Sequence, residues 1–163
     1  MHRIFFLPSA ALAAALAAHP SAVAAKNSLT ISASVRRSCD VVALPMTFGT
    51  VALNNPQADT QAHVIVDCTP SVPFVVTMND GLHVKNGQRR MENPGANGVR
   101  EYLEYEIYRN AARTQRWGGT AATGISQTAP ASGRVVLTAY GHTNGKKAAA
   151  SPYRDSVTVT IAF

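Results

Sequence analysis

Three glutamates, Glu101, Glu104 and Glu106, stand close together, and a pair of carboxylates is what glycoside hydrolysis needs, one as acid and one as base or nucleophile. On an extended strand Glu104 and Glu106 share a face, with alpha carbons about 7 Å apart. Leu103, Tyr105 and Ile107 alternate with them, so both carboxylates are expected on a solvated face with no cleft beside it. Trp117 precedes Gly118-Gly119 and offers a ring for sugar stacking, but a core or hairpin aromatic is the plainer reading. His63, His83 and His142 lie at no metal-ligand spacing with another ligand, and solvent-exposed histidines are expected. No nucleophile elbow, phosphate loop or dinucleotide fingerprint occurs. The side chains therefore predict neither catalytic residue, metal, cofactor nor small-molecule substrate.

Cys39 and Cys68 are too far apart for a CxxC redox pair and too few for a zinc site. Their compartment decides their state. Met1-His2-Arg3 is a short basic start, residues 4–18 are almost wholly apolar, and Ala22-Val23-Ala24-Ala25 offers the small residues a signal peptidase reads. A leader spanning residues 1–25 is expected, with export to an oxidising compartment and a single disulfide as the outcome. The apolar run is short and Ala-rich for a membrane anchor, and Lys26-Asn27-Ser28 is no stop-transfer cluster. The chain carries a formal net charge of +6, spread over scattered residues such as Arg36, Arg37, Arg89, Arg90 and Arg116. No nucleic-acid partner is expected.

What positions these residues is strand. Ala62, Val64, Val66 and Cys68 alternate with polar neighbours; so do Phe74, Val76 and Met78, then Leu103, Tyr105 and Ile107, then Val135, Leu137 and Ala139. Helix formers compete within residues 99–113, but the alternation favours strand there. Asn54-Asn55-Pro56, Asn86-Gly87, Asn93-Pro94-Gly95, Ser132-Gly133 and Asn144-Gly145 mark turns, and residues 141–152 read as a surface loop. The pattern predicts one all-β domain, an antiparallel sandwich or barrel.

Both ends of that domain carry alternating strands. Leu29, Ile31, Ala33 and Val35 form one apolar face, and Val157, Val159, Ile161 and Phe163 form another; neither strand holds a proline to blunt its edge. Three arrangements satisfy them: the ends pair within one molecule, one end is covered by another protein, or each N-terminal strand completes the next molecule's sheet. Periodicity does not choose among these.

The order Cys39, Phe48-Gly49, Val64-Ile65-Val66-Asp67-Cys68 and Pro73-Phe74-Val75-Val76-Thr77-Met78 resembles the first half of the spore coat protein U domain family. Arg90-Met91, Leu103-Glu104-Tyr105-Glu106-Ile107-Tyr108, Trp117-Gly118, Leu137-Thr138-Ala139-Tyr140-Gly141 and the run from Tyr153 to Thr160 resemble its second half. That family includes subunits of archaic, Csu-type chaperone-usher pili. The resemblance implies an immunoglobulin-like β-sandwich lacking its final strand, over residues 37–163, completed by donor-strand complementation. It implies a Cys39–Cys68 disulfide. Residues 26–36 would be the donor segment, with Leu29, Ile31, Ala33 and Val35 as plugs. Val157, Val159, Ile161 and Phe163 would border the acceptor groove and contact the chaperone.

The implied partners are a periplasmic pilus chaperone, an outer-membrane usher and other pilin subunits in a cell-surface fimbrium serving adhesion and biofilm formation. The alternative is a self-completed spore-coat or surface protein that does not polymerise. The chain departs from the family in having Ser151-Pro152 where a glycine usually precedes the tyrosine of the last strand. Its segment ahead of Cys39 is also brief.

Overall fold

The computed structural model describes residues 26–52, 54–95, 98–144 and 150–163; the leader expected over residues 1–25 lies outside them. Eight strands are present among the described residues: β1 Cys39–Ala43, β2 Gln57–Cys68, β3 Pro73–Met78, β4 Arg89–Asn93, β5 Glu101–Tyr108, β6 Ile125–Thr128, β7 Arg134–Asn144 and β8 Val159–Ala162. They form two antiparallel sheets, one ordered β1-β2-β7-β5-β4 and the other β6-β3-β8. The chain is all-β, as the alternating runs predict, and immunoglobulin-like, as the resemblance implies. No described helix is long and apolar enough to cross a membrane.

Alternation became burial where the two sheets face each other. Val64 and Val66 on β2, Phe74 and Val76 on β3, Tyr105 and Ile107 on β5, and Leu137 and Ala139 on β7 form one core around Trp117. Each large apolar side chain among them contributes about 1.5 to 3 kcal/mol by leaving water. Register follows from this face, since a slip of one residue would turn every inner side chain outward. Ala62 pairs with Ala139, Val64 with Leu137 and Val66 with Val135 across β2 and β7.

The turn between Lys85 and Gln88 shows why Asn86-Gly87 is there. Both central residues have positive φ, 51° and 76°, and the flanking residues exchange two backbone hydrogen bonds of 3.0 and 2.9 Å, the geometry of a two-residue hairpin.

Cys39 and Cys68 are directly opposed across β1 and β2 and form a disulfide. The bond joins edge strand β1 to β2, its one ladder partner among the described residues, closing a 29-residue separation. Replacing both cysteines by serine is expected to cost about 3 to 4 kcal/mol on the chain-entropy account. Urea unfolding of the oxidised chain and the double variant would measure this; equal midpoints would remove the disulfide from the stability of the fold.

Several local expectations are corrected. β7 runs on to Asn144, so Gly141 to Asn144 belong to a strand and not to a loop, because β2 extends back to Gln57 and supplies their partners. β1, β4 and β6 carry no clear alternation, and β4, Arg-Arg-Met-Glu-Asn, is buried at both ends by Arg89 and Asn93. The C-terminal strand pairs with β3 only over Val159–Ala162. Ahead of it Arg154 bridges to Glu92 on β4, so the chain crosses from one sheet to the other between Arg154 and Val159.

The chain divides into two units, Met1–Ser34 and Val35–Phe163. In the first, residues 26–34 adopt no helix or strand, although their alternation predicts one. A strand needs a ladder partner to be stable in water. Leu29 is 85% exposed and Ile31 86%; in the second unit Val35 is 93% exposed.

Candidate functional site

A groove of about 1150 Å³ lies between strands of the two sheets. Its inner wall is apolar: Ala62 and Val64 of β2, Leu103, Tyr105 and Ile107 of β5, and Ala139 of β7, faced by Met78 of β3 and Val159 of β8. Two irregular stretches form its lips, one from Ala43 to Val51 and the other from Ala150 to Val157. β1 pairs only with β2, and β8 only with β3, so each presents a row of backbone donors and acceptors with no ladder partner among the described residues.

The first lip is seated by close packing. Met46 and Phe48 pack against the core, Phe48 lies edge-on to Tyr105 with centroids 6.2 Å apart, and the Thr60 hydroxyl donates to the Thr47 carbonyl at 2.7 Å. Gly141 makes this possible. A Cβ there would fall 2.4 Å from Met46 Sδ and 2.9 Å from Phe48 Cζ.

The second lip is tied down by polar contacts. Asp155 accepts from the Tyr105 hydroxyl at 2.6 Å and from the Leu82 N–H at 3.0 Å. Burial, and next the adjacent carboxylate, push the Tyr105 phenol well above its ordinary value, so it remains a donor. The Asn79 N–H donates to the Thr158 carbonyl at 3.0 Å, and the Thr158 N–H donates to Asn79 Oδ1 at 2.9 Å.

Behind Asn79 lies a buried polar hub that sequence reasoning missed. Arg89 is fully buried. Its guanidinium donates to the carbonyls of Asn79 at 2.6 Å, Met78 at 3.2 Å and Trp117 at 2.8 Å and pairs with Glu106. Arg116 holds the other Glu106 oxygen at 2.6 Å and Asp80 at 2.8 Å. Trp117, also fully buried, donates from its indole to the Val76 carbonyl at 2.9 Å. Five fixed donors let an arginine satisfy several carbonyls at once, where an ammonium would bond fewer. In the sequence Arg89 is one of many scattered cations, and no periodicity singles it out.

The expected site residues are distributed accordingly. Val157 and Val159 are half-buried and line the groove; Ile161 is half-buried against the core, and Phe163 is 60% exposed. Leu29, Ile31, Ala33 and Val35 are all exposed. Of the acidic trio, Glu104 is exposed, but Glu106 is not on a solvated face as expected. Its carboxylate bonds the two arginines, because Arg89 would otherwise be a buried cation without a counter-charge. His63 is exposed, whereas His83 and His142 are partly buried beside Glu92 at 3.3 Å and Asp59 at 2.7 Å. Asp59 is opposite His142 across β2 and β7, while His83 sits in a turn beside Glu92 of β4. No three His, Cys, Asp or Glu residues among those described are grouped to hold a metal.

The groove's inner wall is made mainly of apolar side chains, with Tyr105, Arg154 and Asp155 among its polar lining residues. The Spore Coat Protein U domain model matches residues 25–160. No curated protein matches the chain. Among solved structures, the chain is similar to one from the crystal structure of the CsuC-CsuE chaperone-tip adhesion subunit pre-assembly complex of the archaic chaperone-usher Csu pili of Acinetobacter baumannii. The identity is 25%, the TM-score 0.59, and the match covers 79% of this chain. It covers 40% of that one. With the model matching most of its length, this chain belongs to the Spore Coat Protein U domain family.

Proposed function

We propose that the protein is a non-enzymatic structural subunit of an archaic chaperone-usher pilus, exported to the periplasm, held there by a chaperone, passed to an outer-membrane usher and polymerised by donor-strand exchange into a surface fimbrium for adhesion and biofilm formation. One observation carries the reading: an apolar groove flanked by two unpartnered strand edges occurs in a chain whose own N-terminal residues 27–35 are an exposed apolar alternation outside any sheet.

The groove and the segment have complementary needs. Burying Leu29, Ile31 and Val35 would contribute about 1.5 to 3 kcal/mol each before ordering costs, and new ladders on β1 and β8 would add to this. Cα atoms of β1 and β8 now come within 8 Å of each other. A strand bonded to both edges would set them about 9.6 Å apart, so insertion would move β1 outward from β8. The contact is heterologous and propagates as a filament.

Size-exclusion chromatography and negative-stain microscopy of the refolded, leader-free chain test the reading. Concentration-dependent linear assemblies are expected. A stable monomer that never elongates would instead favour the self-completed surface protein.

A further inference from the structure

We infer that a second cleft, between β6 and β7, is a binding site for an acidic saccharide, a polyhydroxylated ring carrying a carboxylate, with Arg109 as the partner of that carboxylate. This cleft shares no lining residue with the groove. It arises where two strands lose a neighbour. β5 ends at Tyr108, opposite Tyr140 of β7, so from Arg134 to Ala139 β7 is paired with β2 alone among the described residues. β6 is likewise paired with β3 alone. The two open edges, Ile125 to Gln127 and Val136 to Tyr140, bound a space of about 440 Å³, a size usual for small-ligand sites.

Beyond Tyr108 the chain turns back, and its polar contacts fix Arg109 at the cleft. The Asn110 side chain accepts from the N–H groups of Thr114 at 3.2 Å and Gln115 at 2.9 Å, and the Arg109 N–H donates to the Gln115 carbonyl at 2.9 Å. The guanidinium is aimed in turn. Its Nε donates to Gln115 Oε1 at 3.1 Å, and its Nη1 to the carbonyls of Gly124 at 2.7 Å and Ala122 at 3.4 Å. Its Nη2 makes no hydrogen bond among the described residues. Unlike Arg89, Arg113, Arg116 and Arg134, Arg109 forms no salt bridge there either. It is a half-buried cation, already positioned and without a counter-charge, and none of the residues lining the cleft is acidic.

The remaining lining decides the ligand. Gln115, Ser126, Gln127 and Thr138 offer amides and hydroxyls, while Ile125, Val136 and the Tyr140 ring offer apolar surface. A bare anion would use Arg109 and leave the amides and hydroxyls idle. A neutral sugar would leave the guanidinium without its charge partner. A sugar acid engages both: its carboxylate accepts from the planar fork of Arg109, its hydroxyls bond the neutral groups, and its C–H faces lie on the apolar ones. Uronic acids and sialic acids share this chemistry.

Calorimetric titration of the full-length, leader-free chain tests this, and it reads a single subunit whether or not the chain assembles. The probes are trigalacturonate beside neutral maltotriose, and sialyllactose beside lactose. At least one acid is expected to bind more tightly than its neutral counterpart by about tenfold or more, and the acid that does so names the source. Binding of neither acid, or equally tight binding of the neutral sugars, would overturn the site. Arg109 also staples its own loop, so the variant that spares the fold is Ser126→Glu, on an exposed residue of the cleft. It is expected to weaken acid binding by about tenfold or more, because a like charge then faces the ligand. Ser132→Glu makes the same charge change at an exposed position outside the cleft and should stay within about twofold of the unsubstituted chain. Equal losses from the two would trace binding to the net positive charge of the chain and overturn the assignment to this cleft.

Discussion

Ile31→Asp is expected to abolish assembly between subunits while leaving the sandwich, and its capture by a chaperone, unchanged. Ile31 is 86% exposed in the isolated chain, so the substitution removes nothing from the core and costs the folded unit almost nothing. In an assembled pair the same side chain would be an apolar plug. Aspartate would forfeit its burial and bring an unpaired carboxylate into an apolar groove, about 4 kcal/mol in all, or roughly a thousandfold in the equilibrium constant. The check is filament formation by microscopy beside the yield of chaperone-bound subunit. Filaments at the normal level would overturn the donor role of residues 29–35; a loss of both filaments and chaperone complex would place Ile31 in folding instead.

Arg89→Met is expected to destabilise the fold by about 3 to 5 kcal/mol, the largest effect anticipated at any position away from the apolar core. Methionine fills similar space but donates nothing. The carbonyls of Met78, Asn79 and Trp117 would lose a shared partner, and the Glu106 carboxylate would keep Arg116 and the Ile107 N–H but lose the buried cation. Arg89→Lys should recover only part of the loss, because a point charge cannot address three carbonyls and a carboxylate from one plane. Trp117, the only tryptophan, packs at the hub and reports unfolding by its fluorescence. A loss below about 1 kcal/mol in urea unfolding would show that the carbonyls find other partners.

The same variant bears on function through Asn79. Its carbonyl accepts from Arg89, while its own N–H and side chain hold Thr158 at the entrance to β8. Loosening Arg89 therefore loosens the strand that borders the groove. Through Asn79, the buried guanidinium helps hold the entrance to edge strand β8 in place.

The amino-acid sequence by itself determined the class of the fold, the core face of β2, β3, β5 and β7, and the pairing of Cys39 with Cys68, because period-two burial and cysteine count act locally or have one solution. It also marked both terminal alternations as strands wanting partners. Only the tertiary structure decided that Glu106 serves a buried Arg89, that β7 continues through Gly141 to make room for Met46 and Phe48, and that the last strand begins at Val159 after crossing between sheets. These depend on what lies opposite across the sandwich, and residues brought together from tens of positions apart leave no periodic trace in the chain.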